Sequence, residues 1–187
     1  MIRADIILAS ASPRRRDYLQ RSQLRVEVIP VDLDEAPLEG ESGTDLVARL
    51  AVEKAMAVGP VELPVVAGDT IVSCQGEILG KPQNQSHAHQ MLELLSGTDH
   101  QVIGGWCVRH GDVCLRGVEI SQVRFRQLDR RMIEDYVATG EPLDKAGAYG
   151  IQGLGAGLVE SVRGSWSNIV GLPVVPVLSA VREVMGR

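Results

Sequence analysis

Aromatic residues are scarce in this sequence, which has 187 residues and only two Trp, three Tyr and one Phe. So few aromatic rings provide no extended surface on which nucleic-acid bases could stack. Acidic residues outnumber basic ones by 24 to 19, which gives a formal net charge of −5. This balance argues against broad electrostatic binding to nucleic acids or anionic membranes. We therefore expect no nucleic-acid partner.

Long apolar runs and paired cysteines are also missing. No run reaches the ~18 apolar residues of a membrane-spanning helix, and the N-terminal residues do not form a signal-peptide pattern. The three cysteines (Cys74, Cys107 and Cys114) are odd in number and include no C-x-x-C pair. We interpret them as reduced thiols. These absences predict a cytoplasmic protein that has no membrane partner.

Glycine, in contrast, is abundant: the chain has 20, and six of them lie between Gly140 and Gly157. Such a concentration indicates tight turns or close approach of the backbone to another group. Apolar residues make up 44% of the chain, which is enough to build a sizeable core.

Helical and strand patterns alternate along the chain. Ser12 followed by Pro13 predicts the start of one helix, Thr44 the cap of a second and Asp129 the cap of a third. Turns at 75–76 and 110–112 predict hairpins, which exclude a purely parallel sheet. We therefore predict a mixed α/β fold in one domain over residues 1–187, with residues 85–129 contributing to a second lobe.

The first candidate site is the run Ser10-Ala11-Ser12-Pro13-Arg14-Arg15. A strand that leads into a helix N-terminus directs backbone N–H groups toward one point, and the hydroxyl and guanidinium groups beside it suit phosphate oxygens. An ordinary helix cap followed by a solvated arginine face is the alternative, and local features leave both interpretations open.

A second candidate is Asp69, which lies inside an otherwise apolar strand. A carboxylate there is costly unless it is paired, bound to a metal or placed at the edge of a cleft, so a site carboxylate is favoured over a strand-end Asp bonded to a loop. Glu35, Lys54 and Lys81 are weaker candidates taken singly, and a surface position is the default for Lys54. As a set they offer cations for phosphates and carboxylates for Mg²⁺.

Gln152 lies in the glycine-rich region. A glycine-edged strand that presents Gln152 to a pocket would supply both the donor and the acceptor that reading a base edge requires. The alternative is that these glycines serve turns alone.

These segments, in this order, resemble the Maf family of nucleoside-triphosphate pyrophosphatases, and the similarity runs almost from end to end. The matching motifs are Leu8-Ala9-Ser10-Ala11-Ser12-Pro13-Arg14-Arg15, Glu53-Lys54-Ala55, Gly68-Asp69-Thr70, Leu79-Gly80-Lys81-Pro82, Leu95-Ser96-Gly97, Gly140-Glu141-Pro142-Leu143-Asp144-Lys145-Ala146-Gly147-Ala148-Tyr149-Gly150-Ile151-Gln152-Gly153 and Gly164-Ser165-Trp166-Ser167-Asn168-Ile169-Val170-Gly171-Leu172-Pro173.

The resemblance implies a two-lobed fold on a long twisted mixed sheet flanked by helices, similar to the Maf and ITPase folds, with a cleft between the lobes. It implies a cytosolic hydrolase that needs a divalent metal, Mg²⁺ or Mn²⁺, and cleaves a nucleoside triphosphate to the monophosphate and pyrophosphate. Family members are often dimeric and have been linked to inhibition of septum formation.

The matching motifs imply functional roles for individual residues of this chain. Asp69 resembles the proton acceptor of the family, and Glu35, with Asp69, its metal-side carboxylates. The phosphate-binding set corresponds to Ser10, Arg14, Arg15, Lys54 and Lys81. The branch that acts on dTTP and UTP carries Arg, Thr and Gln where this chain has Arg14, Thr70 and Gln152.

The sequence therefore predicts a dTTP/UTP pyrophosphatase, with modified pyrimidine nucleotides as further substrates. Two alternatives stay open. One is a pyrophosphatase of modified purine nucleotides such as 7-methyl-GTP, and the other is a non-catalytic nucleotide-binding regulator of septum formation.

Overall fold

Alternating strands and helices build a mixed seven-stranded sheet in the computed structural model, which describes residues 4–186. The strands are β1 Ile6–Leu8, β2 Val26–Val28, β3 Val65–Cys74, β4 Glu77–Leu79, β5 Asp99–His110, β6 Val113–Phe125 and β7 Val159–Arg163. The helices are α1 Pro13–Arg21, α2 Gly43–Ala57, α3 Gln85–Leu95, α4 Arg130–Ala138, α5 Trp166–Val170 and α6 Val174–Val184.

The sheet has the strand order β2-β1-β3-β5-β6-β7, and β4 pairs with β3 outside this path. Strand β1 is parallel to both β2 and β3, whereas the β3–β4 and β6–β7 pairs are antiparallel. The sequence prediction of a mixed α/β fold is therefore confirmed, including the β3–β4 turn at Gln75 and Gly76, both of which have positive φ.

By its internal contacts the chain divides into two units. The first comprises residues 1–70, 104–119 and 171–187, and the second comprises residues 71–103 and 120–170. The lobe predicted from residues 85–129 stays a prediction, because this division follows contacts alone. Among residues 4–186, no helix is long and apolar enough to cross a membrane.

Both faces of the sheet in the first unit are apolar, because the strand residues alternate between two clusters. Ile6, Leu8 and Val66 belong to one cluster with residues of α1 and α6. Ile7 and Val65 belong to the other, with Ala51 and Ala55 of α2 among its members. Strands that are covered on both faces have continuous apolar sequences, and Ile6–Leu8 is an example.

Close packing of α2 on the sheet depends on Gly105 of β5. A Cβ at this position would lie 2.0 Å from the backbone oxygen of Val47. The sheet can therefore carry α2, which bears Lys54, only where the strand has no side chain. At Gly68 of β3, a Cβ would lie 3.0 Å from the backbone oxygen of Gly105 on the neighbouring strand β5, which is a tight contact within the sheet.

In the second unit, α3 packs against α4. The buried rings of His100, Phe125 and Tyr149 meet edge to face, with centroids 4.8–5.4 Å apart, and the Nε2 atom of His100 lies 2.9 Å from the Tyr149 hydroxyl. Burial lowers the pKa of His100 to about 4, so this imidazole is neutral at pH 7.

One prediction about local structure was wrong, and one alternative that the sequence left open is resolved. The residue that caps α2 is Ser42, not Thr44: the Ser42 hydroxyl accepts the Asp45 N–H at 3.1 Å and donates to the Asp45 carboxylate at 2.6 Å. No strand presents Gln152, which lies in a turn between two short 3₁₀ segments, Ala146–Ala148 and Leu154–Leu158. The glycines of this region permit turns rather than a strand edge.

Candidate functional site

Arg15 is held rigidly at the start of α1. Ser12 caps this helix and Pro13 takes its first position, as predicted. The guanidinium of Arg15 donates to three neutral oxygens: Nε to the Gly171 carbonyl at 2.8 Å, Nη1 to the Ser10 hydroxyl at 3.0 Å and Nη2 to the Thr70 hydroxyl at 3.2 Å. Hydrogen bonds to neutral acceptors fix the orientation of the guanidinium group but leave its positive charge unpaired by them, which suits binding of an anion.

Electrostatic interactions link Arg15 to neighbouring charges. Burial holds the pKa of Arg15 below its ordinary value, while the negative charge of Asp69 acts in the opposite direction. The charge of Arg14 lowers this pKa further and that of Glu35 raises it. Arg14, Glu35 and Asp69 therefore each lie within electrostatic reach of Arg15.

A buried ammonium group joins the two candidate carboxylates. Lys54 Nζ lies 2.7 Å from Oδ1 of Asp69 and 2.6 Å from Oε1 of Glu35. The side chains of Lys54 and Asp69 are only 7% and 11% exposed, whereas that of Glu35 is 53% exposed. The surface position that the sequence predicts by default for Lys54 is therefore wrong. Asp69 is a paired carboxylate within a strand rather than a strand end bonded to a loop.

Seven of the predicted residues thus belong to the first unit and lie on the start of α1, the segment before α2, α2 itself and β3. We call this set the first-unit cluster: Ser10, Arg14, Arg15, Glu35, Lys54, Asp69 and Thr70. It combines hydroxyls, guanidinium groups and an ammonium with two carboxylates. This is the donor set that phosphoryl chemistry requires, in which charge must be neutralised and a water positioned.

The other two predicted residues, Lys81 and Gln152, belong to the second unit and are exposed. Their segments adjoin, because the Gly147 N–H donates to the carbonyl of Gly80 at 3.1 Å. The turn after β4 therefore positions Lys81 beside the glycine-rich segment that contains Gln152.

Glu141, for which the sequence predicted no role, organises this glycine-rich segment. Its Oε2 atom accepts the Leu154 N–H at 2.9 Å, and its Oε1 atom accepts the Gly155 N–H at 3.1 Å and the Tyr136 hydroxyl at 2.9 Å. These hydrogen bonds lower the pKa of Glu141 against the opposing effect of its burial. A Cβ at Gly153 would lie 2.3 Å from Oε2 of Glu141, so this glycine is required for the carboxylate to approach.

The sequence contained a signal that Glu141 is structurally important, but it contained none for Arg49 and Glu41. Glu141 stands in the long motif that carries the family resemblance, so its motif membership could have drawn attention to it. Arg49 and Glu41 form a bidentate ion pair with contacts of 2.6 and 2.8 Å. They are eight residues apart across the start of α2, where no periodic pattern relates them.

Glu35 and Asp69 are suited to a hard divalent cation. Their oxygens converge on one ammonium, so the fold already brings two carboxylates to one positive charge. Magnesium typically takes one or two protein carboxylates and completes its coordination with phosphate oxygens and water. Within the described part of the chain, no group of three or more His, Cys, Asp and Glu side chains could hold a metal ion.

Residues 5–184 match the family model described as "Maf-like protein". Several relatives are named dTTP/UTP pyrophosphatase. The one from Anaeromyxobacter dehalogenans (strain 2CP-1) is 50% identical over 183 residues, which cover 95% of this chain and 93% of that protein. The one from Clostridioides difficile (strain 630) is 49% identical and the one from Pyrococcus furiosus is 42% identical, covering 91% and 94% of this chain and 90% and 93% of those proteins.

Among solved structures, a HAM1 protein from Coxiella burnetii has a similar fold. The TM-score is 0.52, and the alignment covers 99% of this chain and all of that one. Only 14% of residues are identical, so this likeness bears on the fold alone.

Proposed function

The chain belongs to the Maf family, and on that premise we propose that it is a metal-dependent nucleoside-triphosphate pyrophosphatase. It hydrolyses dTTP and UTP, and modified pyrimidine nucleotides, to the monophosphate and pyrophosphate. The observation that carries this proposal is the buried Lys54 ammonium, which holds the carboxylates of Asp69 and Glu35 at 2.7 and 2.6 Å. Relatives at 42–50% identity that are named dTTP/UTP pyrophosphatase support the choice of substrate.

The cationic side chains bind the triphosphate. Arg15, fixed by Ser10, Thr70 and the Gly171 carbonyl, presents a positive charge at the N-terminus of α1, where the positive end of the helix dipole also favours phosphate oxygens. Arg14 and the second-unit Lys81 complete the phosphate-binding set. Neutralising the phosphates stabilises the charge that develops on the leaving pyrophosphate.

Asp69 activates the attacking water. Lys54 engages Oδ1 of this carboxylate, and Oδ2 is the atom that we propose to accept the proton. The water oxygen forms a bond to the α-phosphorus as its proton moves to Asp69. The bond between that phosphorus and the oxygen bridging to the β-phosphate breaks, and pyrophosphate leaves with the bridging oxygen. General bases of this kind contribute typically ~10²–10⁴-fold to the rate.

Glu35 and Asp69 would hold Mg²⁺ or Mn²⁺, which when bound withdraws charge from phosphate oxygens and lowers the pKa of a bound water. Before the nucleotide arrives, Lys54 holds the two carboxylates together and offsets their mutual repulsion.

Base selection falls to Thr70, Gln152 and Arg14. Gln152 lies exposed in a turn of the second unit, and its amide offers both a donor and an acceptor, as the edge of a pyrimidine requires.

We propose further that the enzyme is a cytoplasmic homodimer. We also propose that it does not bind nucleic acid, in keeping with its net charge of −5.

The test is pyrophosphate release from a panel of nucleotides with Mg²⁺ or Mn²⁺. We expect turnover of dTTP and UTP above that of 7-methyl-GTP, and a loss of about 10²-fold or more in Asp69→Asn. Asp99→Asn is the matched control, because Asp99 is an exposed carboxylate paired only with Arg124 among its described ion pairs. This control should retain wild-type turnover.

Two outcomes would contradict the proposal. Faster turnover of 7-methyl-GTP than of dTTP would make the protein a modified-purine pyrophosphatase. Binding of dTTP without turnover under either metal would make it a nucleotide-binding regulator.

A further inference from the structure

Glu35 is carried by a long irregular segment. Residues 29–42 form neither helix nor strand, and residues 34–40 are all exposed. Ile29 and Val31 pack against one of the apolar clusters of the first unit, but the exposed residues 34–40 lack such packing and are ordered by specific contacts. Yet the Glu35 carboxylate must stay in one place to lie 2.6 Å from Lys54 Nζ.

Arg49 of α2 supplies those contacts. Its Nε and Nη2 atoms donate to the two carboxylate oxygens of Glu41 at 2.6 and 2.8 Å, and Nη2 also donates to the carbonyl of Ala36 at 3.1 Å. The Leu38 N–H donates to Oε2 of Glu41 at 3.0 Å. One guanidinium therefore fastens both ends of the stretch 36–41, which begins next to Glu35.

The Arg49–Glu41 pair is shielded from solvent enough to hold one defined geometry. The Glu41 side chain is 7% exposed and that of Arg49 is 21% exposed. Hydrogen bonds from Arg49 lower the pKa of Glu41 to about 2, so the carboxylate is charged at neutral pH. Bidentate pairs of this kind fix geometry as well as supplying energy.

We propose that Arg49 and Glu41 are positioning residues for the reaction: they hold residues 36–41 against α2 and thereby keep Glu35 at Lys54. Neither residue belongs to the first-unit cluster. The inference rests on the proposed function, because the pair acts on turnover only through Glu35.

Two variants weaken the tether without removing bulk: Arg49→Lys, which cannot form a bidentate pair, and Glu41→Gln, which removes the charge. In the protein without nucleotide or metal, we expect amide hydrogen exchange in residues 36–41 to become about tenfold faster or more. We also expect kcat/KM for dTTP to fall about tenfold, less than the ~10²-fold that a 1 Å displacement of a reacting group can cost.

The matched control is Glu53→Gln. It removes another partner of Arg49, on the same helix at 3.0 Å, and leaves the contacts to the segment in place. Exchange in residues 36–41 and turnover should both stay within about twofold of wild type, since an i,i+4 helix pair whose carboxylate is 43% exposed contributes little.

A Glu35→Gln background separates positioning from general damage. There, adding Arg49→Lys should lower turnover less than about twofold further, because residues that act as a unit are not additive. A full additional loss would overturn the proposal, as would faster exchange with unchanged turnover. If the wild type cleaves no triphosphate, the proposed function fails by itself, and the exchange rates alone decide whether the tether orders the segment.

Discussion

At the scale of single residues, the buried ion pair of Lys54 and Asp69 is the most demanding feature of the protein. Taking two charges out of water costs several kcal/mol per ion, and the fold offsets this cost only by keeping both partners in place. The side chains are 7% and 11% exposed and their charged atoms lie 2.7 Å apart. Glu35, at 53% exposed, adds a second negative charge that water partly screens.

Lys54→Met should therefore destabilise the protein as well as abolish turnover. The variant leaves Asp69 buried without its ammonium partner, and we expect a loss of about 3 kcal/mol in the free energy of unfolding. The double variant Lys54→Met with Asp69→Asn should recover most of that loss while remaining inactive. Urea unfolding of the three proteins measures this, and a double variant no more stable than Lys54→Met would show that the ion pair is not the source of the cost.

At the scale of elements, local signals in the sequence predicted some helix boundaries that neighbouring residues determine, but not all of them. Asp129 caps α4 and accepts the Met132 N–H at 2.8 Å, as predicted. The cap of α2 was missed because Ser42 and Thr44 are both good capping residues, and the choice depended on Asp45, which stands three residues after Ser42. The S-x-x-D spacing resembles a capping box and was a usable signal.

Long-range contacts decided what the sequence could not predict. Lys54 beside Glu53 has the pattern of a surface lysine, and only the packing of α2 on β3 and β5 buries it. For the segment around Gln152, the sequence left a strand edge and glycine turns as open alternatives. The hydrogen bonds of this segment are made to Glu141, more than ten residues earlier in the chain.

The glycine-rich segment gives a prediction with a control in the same stretch of chain. Gly153→Ala would place a Cβ 2.3 Å from a Glu141 oxygen that also accepts the Leu154 N–H. Overpacking of this kind costs about 1–3 kcal/mol, and we expect the free energy of unfolding to fall by that amount and the KM for dTTP to rise.

Gly157→Ala is the control for this change, because a Cβ at Gly157 would meet no described atom within 4 Å. Its stability should be equal to the wild-type value or up to about 1 kcal/mol higher, since alanine restricts the unfolded chain. Equal effects of the two substitutions in chemical denaturation would mean that the Glu141 contacts do not order the segment.

At the scale of the whole molecule, charge is distributed unevenly. A chain of net charge −5 repels polyanions in general, yet the first-unit cluster gathers Arg14, Arg15 and Lys54 at one place. The guanidinium of Arg15 is already bonded to three neutral oxygens, so little reorganisation is needed when phosphate binds. Preorganised charge of this kind favours a small triphosphate over an extended polyanion.

A non-hydrolysable ligand should therefore stabilise the protein mainly through its phosphates. With Mg²⁺, the α,β-imido analogue of dTTP at a hundred times its Kd should add about 2.7 kcal/mol to the free energy of unfolding. For a chain of this length that raises the Tm by about 5–10 °C. Thymidine at the same concentration lacks the phosphates and should raise the Tm by much less. The shift should also shrink with added NaCl, because salt screens charged contacts. An equal Tm shift with thymidine would mean that the nucleoside, not the phosphates, provides the binding energy. The first-unit cluster would then not be the triphosphate site.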